Sequence, residues 1–230
     1  RLMLGWMGEK AGFNFHLQAF CISALTKKIP GTIWYAISRV VMYDRLVGGG
    51  KSRVIAAIAL EIASMSSAGF IVFGMGIATG EFILTNAYAP EVIALVVFAV
   101  GVTIMFISPA LVKLIHRIVR RKWDVTQTIP KDKEIISSRT VIWVLGEIGV
   151  ICLGAGASFF AIRAMSIMTE ISYFSVLVAW GGAVALGPLA MWLPSDVGLK
   201  DGVMYAILSP RIGGNEAALA VLFWRIWGSV

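Results

Sequence analysis

The sequence predicts an all-α, polytopic transmembrane helical bundle, and three observations lead to this prediction. Hydrophobic residues make up 58% of the 230 residues and charged residues only 14%, whereas a soluble domain averages about 25% charged residues. The mean hydropathy is +0.84, so the chain cannot cover a water-facing surface and lipid must be its solvent. Several stretches also have the roughly 20 apolar residues that a membrane-spanning helix needs.

Four apolar stretches are long enough to span a bilayer as helices: Val54–Thr79, Val92–Val112, Thr140–Ile162 and Ile171–Leu193. A further apolar run begins near Ala217, and Phe13–Leu25 is apolar but short. We therefore expect one transmembrane domain over residues 1–230 that is incomplete at both ends.

Two shorter apolar segments, 32–45 and 201–209, follow breaks that contain Pro and Gly. Both are too short to span a bilayer. Each either lies in the membrane interface as an amphipathic helix or re-enters the membrane, which is tolerated only where protein or a cavity surrounds the segment.

The basic residues predict the orientation in the membrane. Of the 20 Lys and Arg residues, six fall between Lys27 and Arg53 and eight fall in the loop 113–139, which makes 14 in two flanking regions. The positive-inside rule places such regions in the cytoplasm. Topology therefore explains the net charge of +7, and we expect no nucleic-acid partner. The predicted location is a prokaryotic cytoplasmic membrane.

Segments 29–61 and 193–225 resemble each other and predict an internal repeat. At one offset without gaps, the alignment pairs Pro30 with Pro194, Gly49-Gly50 with Gly213-Gly214, and Glu61 with Arg225. Each copy reads as a break, a short apolar segment, a Gly-Gly turn and a longer apolar helix. In transporters built from repeats, the substrate site tends to lie between the repeats, beside broken helices.

Three ionisable residues lie inside predicted spans: Glu61, Glu147 and Arg225. A charge in the bilayer centre costs about 2.5–3.5 kcal/mol on insertion scales, so such residues face a cavity or pair with one another. We predict that Glu61 and Arg225 approach each other, either in a substrate pathway or as a structural ion pair. Gly146 and Gly149 flank Glu147 and would permit close helix packing, so Glu147 has either a packing or a substrate role.

The break from Pro194 to Gly202 is polar and carries Asp196, Lys200 and Asp201. Backbone N–H groups at a broken helix end, together with Lys200, would hold an anionic headgroup; the alternative is an ordinary solvated loop. Arg39 either meets a lipid phosphate or serves only as a positive-inside charge.

No catalytic signature is visible in the sequence. His16 and His116 are far apart, and Cys21 and Cys152 match no disulfide or metal-ligand spacing. The glycines before Lys51 lack the spacing of a phosphate-binding loop. We therefore expect a protein that is not an enzyme and that holds neither a metal nor another cofactor.

The residues resemble a known family, the lysylphosphatidylglycerol synthase transmembrane region. Its first signature is similar to Ile29-Pro30-Gly31-Thr32-Ile33-Trp34 together with Arg39 and Leu60-Glu61. Its second signature is similar to Leu193–Asp201, and its third is similar to Trp224-Arg225-Ile226. The resemblance runs from about Lys27 to the end of the chain. The chain departs from the second signature at three places. Ser195-Asp196 replaces the usual Gly-Gly, Lys200 replaces the usual Arg, and Asp201 replaces the usual Glu.

The best-understood members of that family move aminoacylated phospholipid between leaflets. The resemblance therefore implies a lipid-binding membrane protein that acts as a flippase for a polar or glycosylated lipid. The polar residues of its pathway would be Arg39, Glu61, Lys200, Asp201 and Arg225, and the partners would be membrane lipids.

The alternative hypothesis is a non-catalytic accessory or structural transmembrane subunit. Its helices would serve assembly within a larger membrane complex, for example an energy-transducing or photosynthetic one. Both hypotheses leave open whether the chain forms homo-oligomers.

Overall fold

The computed structural model describes residues 12–26, 33–47, 51–80, 90–123, 137–164, 171–188 and 198–227. Within these ranges the chain forms α-helices and no strand, which confirms the predicted all-α bundle. The helices are α1 (Phe13–Thr26), α2 (Ile33–Val47), α3 (Lys51–Ala78), α4 (Pro90–Trp123), α5 (Ser137–Ala164), α6 (Tyr173–Leu186), α7 (Leu199–Ile212) and α8 (Gly214–Trp227).

Three of these helices contain segments long and apolar enough to cross a membrane: Val54–Ala78, Pro90–Ile115 and Thr140–Ala164. They coincide with the first three predicted spans to within three residues at either end. At 1.5 Å per residue, 25 residues cover about 37 Å, more than the roughly 30 Å of a hydrocarbon core. The chain is thus a helical membrane protein.

The fourth predicted span, Ile171–Leu193, is wrong in its length. Helix α6 has only 14 residues, from Tyr173 to Leu186, which cover about 21 Å. The helix ends two residues before Pro188, which lacks the N–H that a continuing α-helix needs. The predicted end of this span, Leu193, lies outside the described residues.

Both short segments form helices that extend beyond the apolar runs from which they were predicted. The first is α2, and the second is α7, which ends before Gly213 with its φ of +89°. A left-handed φ costs glycine little, so the chain can break here and begin α8 at once. Whether α2 and α7 lie in the interface or re-enter the membrane stays a prediction.

The chain divides into two compact units. The first comprises residues 1–64, 105–141 and 191–195, and in it α1 packs on α2 through buried polar and aromatic groups. His16 Nδ1 lies 2.5 Å from the Tyr43 hydroxyl, and the Phe15 and Tyr43 rings meet edge to face with centroids 5.1 Å apart. Thr26 and Ser38 join the same two helices through their hydroxyls at 3.0 Å.

The second unit comprises residues 65–104, 142–190 and 196–230, and α6 lies at its core. Most of α6 from Ser175 to Ala185 is buried, as expected of a helix that is apolar on every side. Its Trp180 packs edge to face on Trp224 of α8, with ring centroids 4.3 Å apart. The Trp180 indole N–H also donates to the Ser158 hydroxyl of α5 at 2.9 Å, so this partly buried ring has no unmet donor.

Glycines let the backbones of α3 and α6 approach closely. A Cβ added to Gly69 would lie 2.5 Å from the Ala185 backbone nitrogen and 2.8 Å from the Gly181 carbonyl oxygen. Backbone atoms cannot move aside as a flexible side chain would. Small residues therefore permit this contact, as is usual where helices pack in membranes.

Helix α5 has a packed face and an apolar exposed face. Val144, Ile151, Ala155, Ser158 and Ile162 are buried, and they recur at helical spacing. The opposite face exposes large apolar side chains, namely Ile142, Leu145, Val150, Leu153 and Phe160. Only 22% of the α5 span is buried, against 56% of the α3 span, which fits a helix that presents one side to lipid.

The close contact at Gly69 leads to a stability prediction. We expect Gly69→Ala to lower the free energy of unfolding by about 1–3 kcal/mol, the usual cost of overpacking a well-packed core. Gly146→Ala is the matched control, because no described atom lies within 4 Å of a Cβ there. Thermal unfolding in detergent, followed by tryptophan fluorescence, measures both. Equal stability of the two variants would contradict the packing described for α3 and α6.

Candidate functional site

The described residues include all but one of the predicted site residues. Arg39 lies on α2 and Glu61 on α3, Lys200 and Asp201 lie in the first turn of α7, and Arg225 lies in the last turn of α8. Glu147 lies in the middle of α5. Asp196 lies outside the described residues.

In the first unit, Glu61 is the centre of a polar cluster with Arg39 and Tyr35. Arg39 Nη1 donates to Glu61 Oε2 at 2.5 Å, and the Tyr35 hydroxyl donates to Glu61 Oε1 at 2.9 Å. The Arg39 guanidinium also lies over the Tyr35 ring, 4.9 Å from its centroid, at cation–π distance. Both carboxylate oxygens of Glu61 therefore accept a hydrogen bond, and one of these bonds is charge-assisted.

Helical spacing produces this cluster. Tyr35 and Arg39 are four residues apart on α2, so they lie on the same face one turn apart. Around them, the Ser38 hydroxyl donates to the Tyr35 carbonyl at 3.1 Å, and the Ser64 hydroxyl donates to the Glu61 carbonyl at 3.0 Å. These local bonds satisfy hydroxyl groups that would otherwise be unpaired in an apolar environment.

The position of Glu61 makes the pair energetically necessary. Glu61 is seven residues into the Val54–Ala78 span, or about 10 Å along the helix axis. The Arg39 side chain is 15% exposed and that of Glu61 is 31% exposed. A lone charge there would be costly, but the pair has no net charge, and the carboxylate stays partly accessible.

The second unit holds a looser pair between Asp201 and Arg225. Arg225 Nη1 lies 3.7 Å from Asp201 Oδ2, and the side chains are 47% and 25% exposed, respectively. Next to Asp201, the stem of Lys200 covers Gly187, where an added Cβ would lie 2.5 Å from Lys200 Cε. Gly187 thus leaves room for the lysine side chain to lie along the end of α6.

The two ion pairs occupy similar places in the two repeat-like segments, with reversed polarity. In each segment a short helix and the helix that follows it contribute one charge each. The cation lies on the short helix α2 in the first segment, whereas the carboxylate lies on the short helix α7 in the second. Glu61 and Arg225 thus each have an ion-pair partner within their own segment. The predicted approach of Glu61 to Arg225 stays a prediction, because these residues belong to different units.

Tyr35 is the site residue that the sequence analysis did not single out. A tyrosine near a membrane boundary is usually an interfacial anchor. Its position in the sequence therefore does not suggest that its hydroxyl binds a carboxylate. The available signal was its spacing of four residues from Arg39, since this places a hydroxyl beside the guanidinium.

The two glycines beside Glu147 have no packed neighbour among the described residues. Gly146 and Gly149 were expected to permit close helix packing, but no described atom lies within 4 Å of a Cβ built at either glycine. Both glycines lie on the exposed side of α5 and Glu147 is half-buried. Whether Glu147 contacts a substrate stays a prediction.

Comparisons with known proteins add no relative. No family model, no curated protein and no solved structure matches this chain. The functional argument therefore depends on the geometry of the two ion pairs and on the motifs that carry the family resemblance.

The Arg39–Glu61 pair leads to a second stability prediction. We expect Glu61→Gln to lower the free energy of unfolding by roughly 2 kcal/mol, less than the cost of breaking a fully buried pair because both side chains keep some exposure. Asp201→Asn in the looser pair should cost less than about 1 kcal/mol. Unfolding curves in the same detergent compare the two variants. A larger loss for Asp201→Asn would contradict the ranking of the two pairs.

Proposed function

We propose that this protein binds the headgroup of a polar lipid at the cluster of Tyr35, Arg39 and Glu61 and moves that lipid between the leaflets. It would act as an integral membrane flippase similar to the lysylphosphatidylglycerol synthase transmembrane region. The transported molecule is a phospholipid or a glycosylated lipid, and the chain performs no covalent chemistry on it.

The observation that carries the proposal is a partly exposed ion pair within a membrane span. A fully buried ion pair recovers its desolvation cost only when its geometry is good and its remaining lone pairs are satisfied. Glu61 instead keeps 31% exposure about 10 Å into the span. A headgroup that enters beside α2 and α3 would therefore meet a carboxylate, a guanidinium and a phenolic hydroxyl at a depth where water is scarce.

These groups would lower the barrier to crossing by replacing headgroup hydration. A phosphate would accept hydrogen bonds from the Arg39 guanidinium. Hydroxyl or amino groups of the headgroup would donate to Glu61, with Tyr35 holding the carboxylate in place. The acyl chains would remain in the bilayer. No energy-coupling motif is visible, so movement would be passive or driven by an ion gradient.

The second ion pair supports the same proposal. Asp201 and Arg225 offer the same two charge types in their own unit, beside Lys200, and the family resemblance singles out all three. Arg225 is 47% exposed, so its guanidinium is accessible to a ligand. We propose that segments 29–61 and 193–225 are repeats that each provide one headgroup-binding pair.

The alternative function is that of an accessory transmembrane subunit in a larger complex. The open apolar face of α5 favours it, because Gly146 and Gly149 leave a shallow groove on the helix surface. Helices of a partner subunit pack well against such small residues. This alternative needs no lipid movement and gives the ion pairs a purely structural role.

Lipid movement in proteoliposomes tests the proposal directly. We expect Glu61→Gln and Arg39→Gln each to slow the transfer of fluorescent lipid between leaflets about tenfold or more. A tenfold slower transfer corresponds to an activation barrier about 1.4 kcal/mol higher. Asp44→Asn is the matched control, since it removes a carboxylate from an exposed pair with Lys51 at 3.2 Å. The measurement is quenching of outer-leaflet fluorescence by an impermeant reductant.

Two outcomes would contradict the proposal. Wild-type protein that moves no polar lipid faster than empty vesicles would exclude a flippase that acts alone. Equal rates for wild type and both site variants would show that movement does not depend on this cluster. Recovery of the chain from its native membrane in a fixed ratio with other subunits would favour the accessory role.

A further inference from the structure

The far end of α4 carries a row of basic residues that the proposed function does not use. No Lys or Arg occurs between Val54 and Val112, and then Lys113, Arg117, Arg120 and Arg121 follow within nine residues. These four positions define the basic stripe. Their spacings of three, four and eight residues place them on one side of the helix over about 12 Å.

The length of α4 extends the basic stripe beyond the hydrocarbon core. The helix has 34 residues and is about 51 Å long, whereas a hydrocarbon core is about 30 Å thick. Its membrane-spanning segment ends at Ile115. The residues after it therefore continue as helix through the level of the lipid headgroups.

The described side chains at the start of the stripe form an amphipathic surface. Lys113 and Arg117 are both exposed, and the neighbouring Leu114 and Ile118 are exposed as well. Basic groups beside an exposed apolar ridge are typical of a surface that lies against a membrane, with aliphatic groups among acyl chains and cations among phosphates.

A simpler explanation, compensation of the helix dipole, does not account for the whole stripe. Cations at the C-terminal end of a helix interact favourably with its dipole, but this effect falls off within the last turn. Arg117 lies six residues before Trp123, the end of α4, and Lys113 lies ten residues before it. Both are outside the range of the dipole effect.

We infer that the basic stripe is a binding surface for anionic phospholipid in the leaflet that faces this end of α4, separate from the proposed headgroup site at Glu61. Two cations one turn apart have Cβ atoms about 6 Å from each other. One headgroup with two negative charges would bridge the two cations. Alternatively, two headgroups with one negative charge each would bind one cation apiece. Such lipid would hold the end of α4 at the headgroup level.

The test is lipid binding to the full chain in detergent, measured by native mass spectrometry during titration with phosphatidylglycerol, cardiolipin or zwitterionic phosphatidylcholine. Each basic residue near an anionic surface contributes about fivefold in affinity. We therefore expect Lys113→Gln/Arg117→Gln to weaken phosphatidylglycerol binding about 25-fold. One cardiolipin should occupy the surface where two phosphatidylglycerol molecules bind.

The matched control is Arg45→Gln/Lys51→Gln, which removes two exposed cations outside the stripe, one of them paired with Asp44 at 3.2 Å, and should weaken binding less than the stripe variant does. Equal losses in the two double variants would overturn the inference, because binding would then depend on overall charge. Binding of phosphatidylcholine as tight as that of phosphatidylglycerol would also overturn it. If the stripe variant fails to fold, the charge-conserving variant Lys113→Arg/Arg117→Lys takes its place and must bind phosphatidylglycerol as tightly as the wild type. The affinity of the wild type must then also fall as the salt concentration rises.

Discussion

The hydrocarbon core of the membrane imposes the constraint on which the rest of this structure depends: polar groups must find partners within the protein. Helices satisfy the backbone, which explains why every described element is helical. Several side chains follow the same rule, although the buried Thr140 hydroxyl has no hydrogen-bond partner among the described residues. Glu61 has Arg39 and Tyr35, and Trp180 has Ser158. Glu61, which lies within a span, takes both partners from the adjacent helix α2 of the same unit.

Close packing follows from the same constraint. In lipid there is little hydrophobic force between helices, so van der Waals contact and small residues determine which helices pack. Gly69 and Gly181 allow α3 and α6 to touch through their backbones, whereas Gly146 and Gly149 have no such neighbour among the described residues. A glycine in a membrane helix therefore indicates close approach only where another helix occupies the space.

The contrast between the two ion pairs connects packing to the proposed function. The Arg39–Glu61 pair is short and supported by Tyr35, while Asp201 and Arg225 are 3.7 Å apart and Arg225 is more exposed than Arg39. The short pair holds α2 and α3 together, and the Glu61 side chain keeps 31% exposure. The loose pair gains little from its own contact.

The sequence predicted the fold well where a long apolar run dominates. Val54–Ala78, Pro90–Ile115 and Thr140–Ala164 are such runs, and each is long and apolar enough to cross a membrane. The end of α6 at Leu186 was missed, because the apolar run in the sequence continues beyond that residue. Glu61 and Arg39 were found as charges in an apolar context. Their pairing was not predicted, because partner choice depends on tertiary placement, and the repeat alignment pointed to Arg225 instead.

The central claim is that a polar lipid headgroup binds at the cluster of Tyr35, Arg39 and Glu61. Its most direct test is to purify the protein from its native membrane in mild detergent and identify the bound lipids by mass spectrometry, for wild type, Glu61→Gln and Asp44→Asn. We predict one enriched class of polar lipid that is lost from Glu61→Gln and retained by Asp44→Asn. The same lipid composition in all three proteins would contradict the claim.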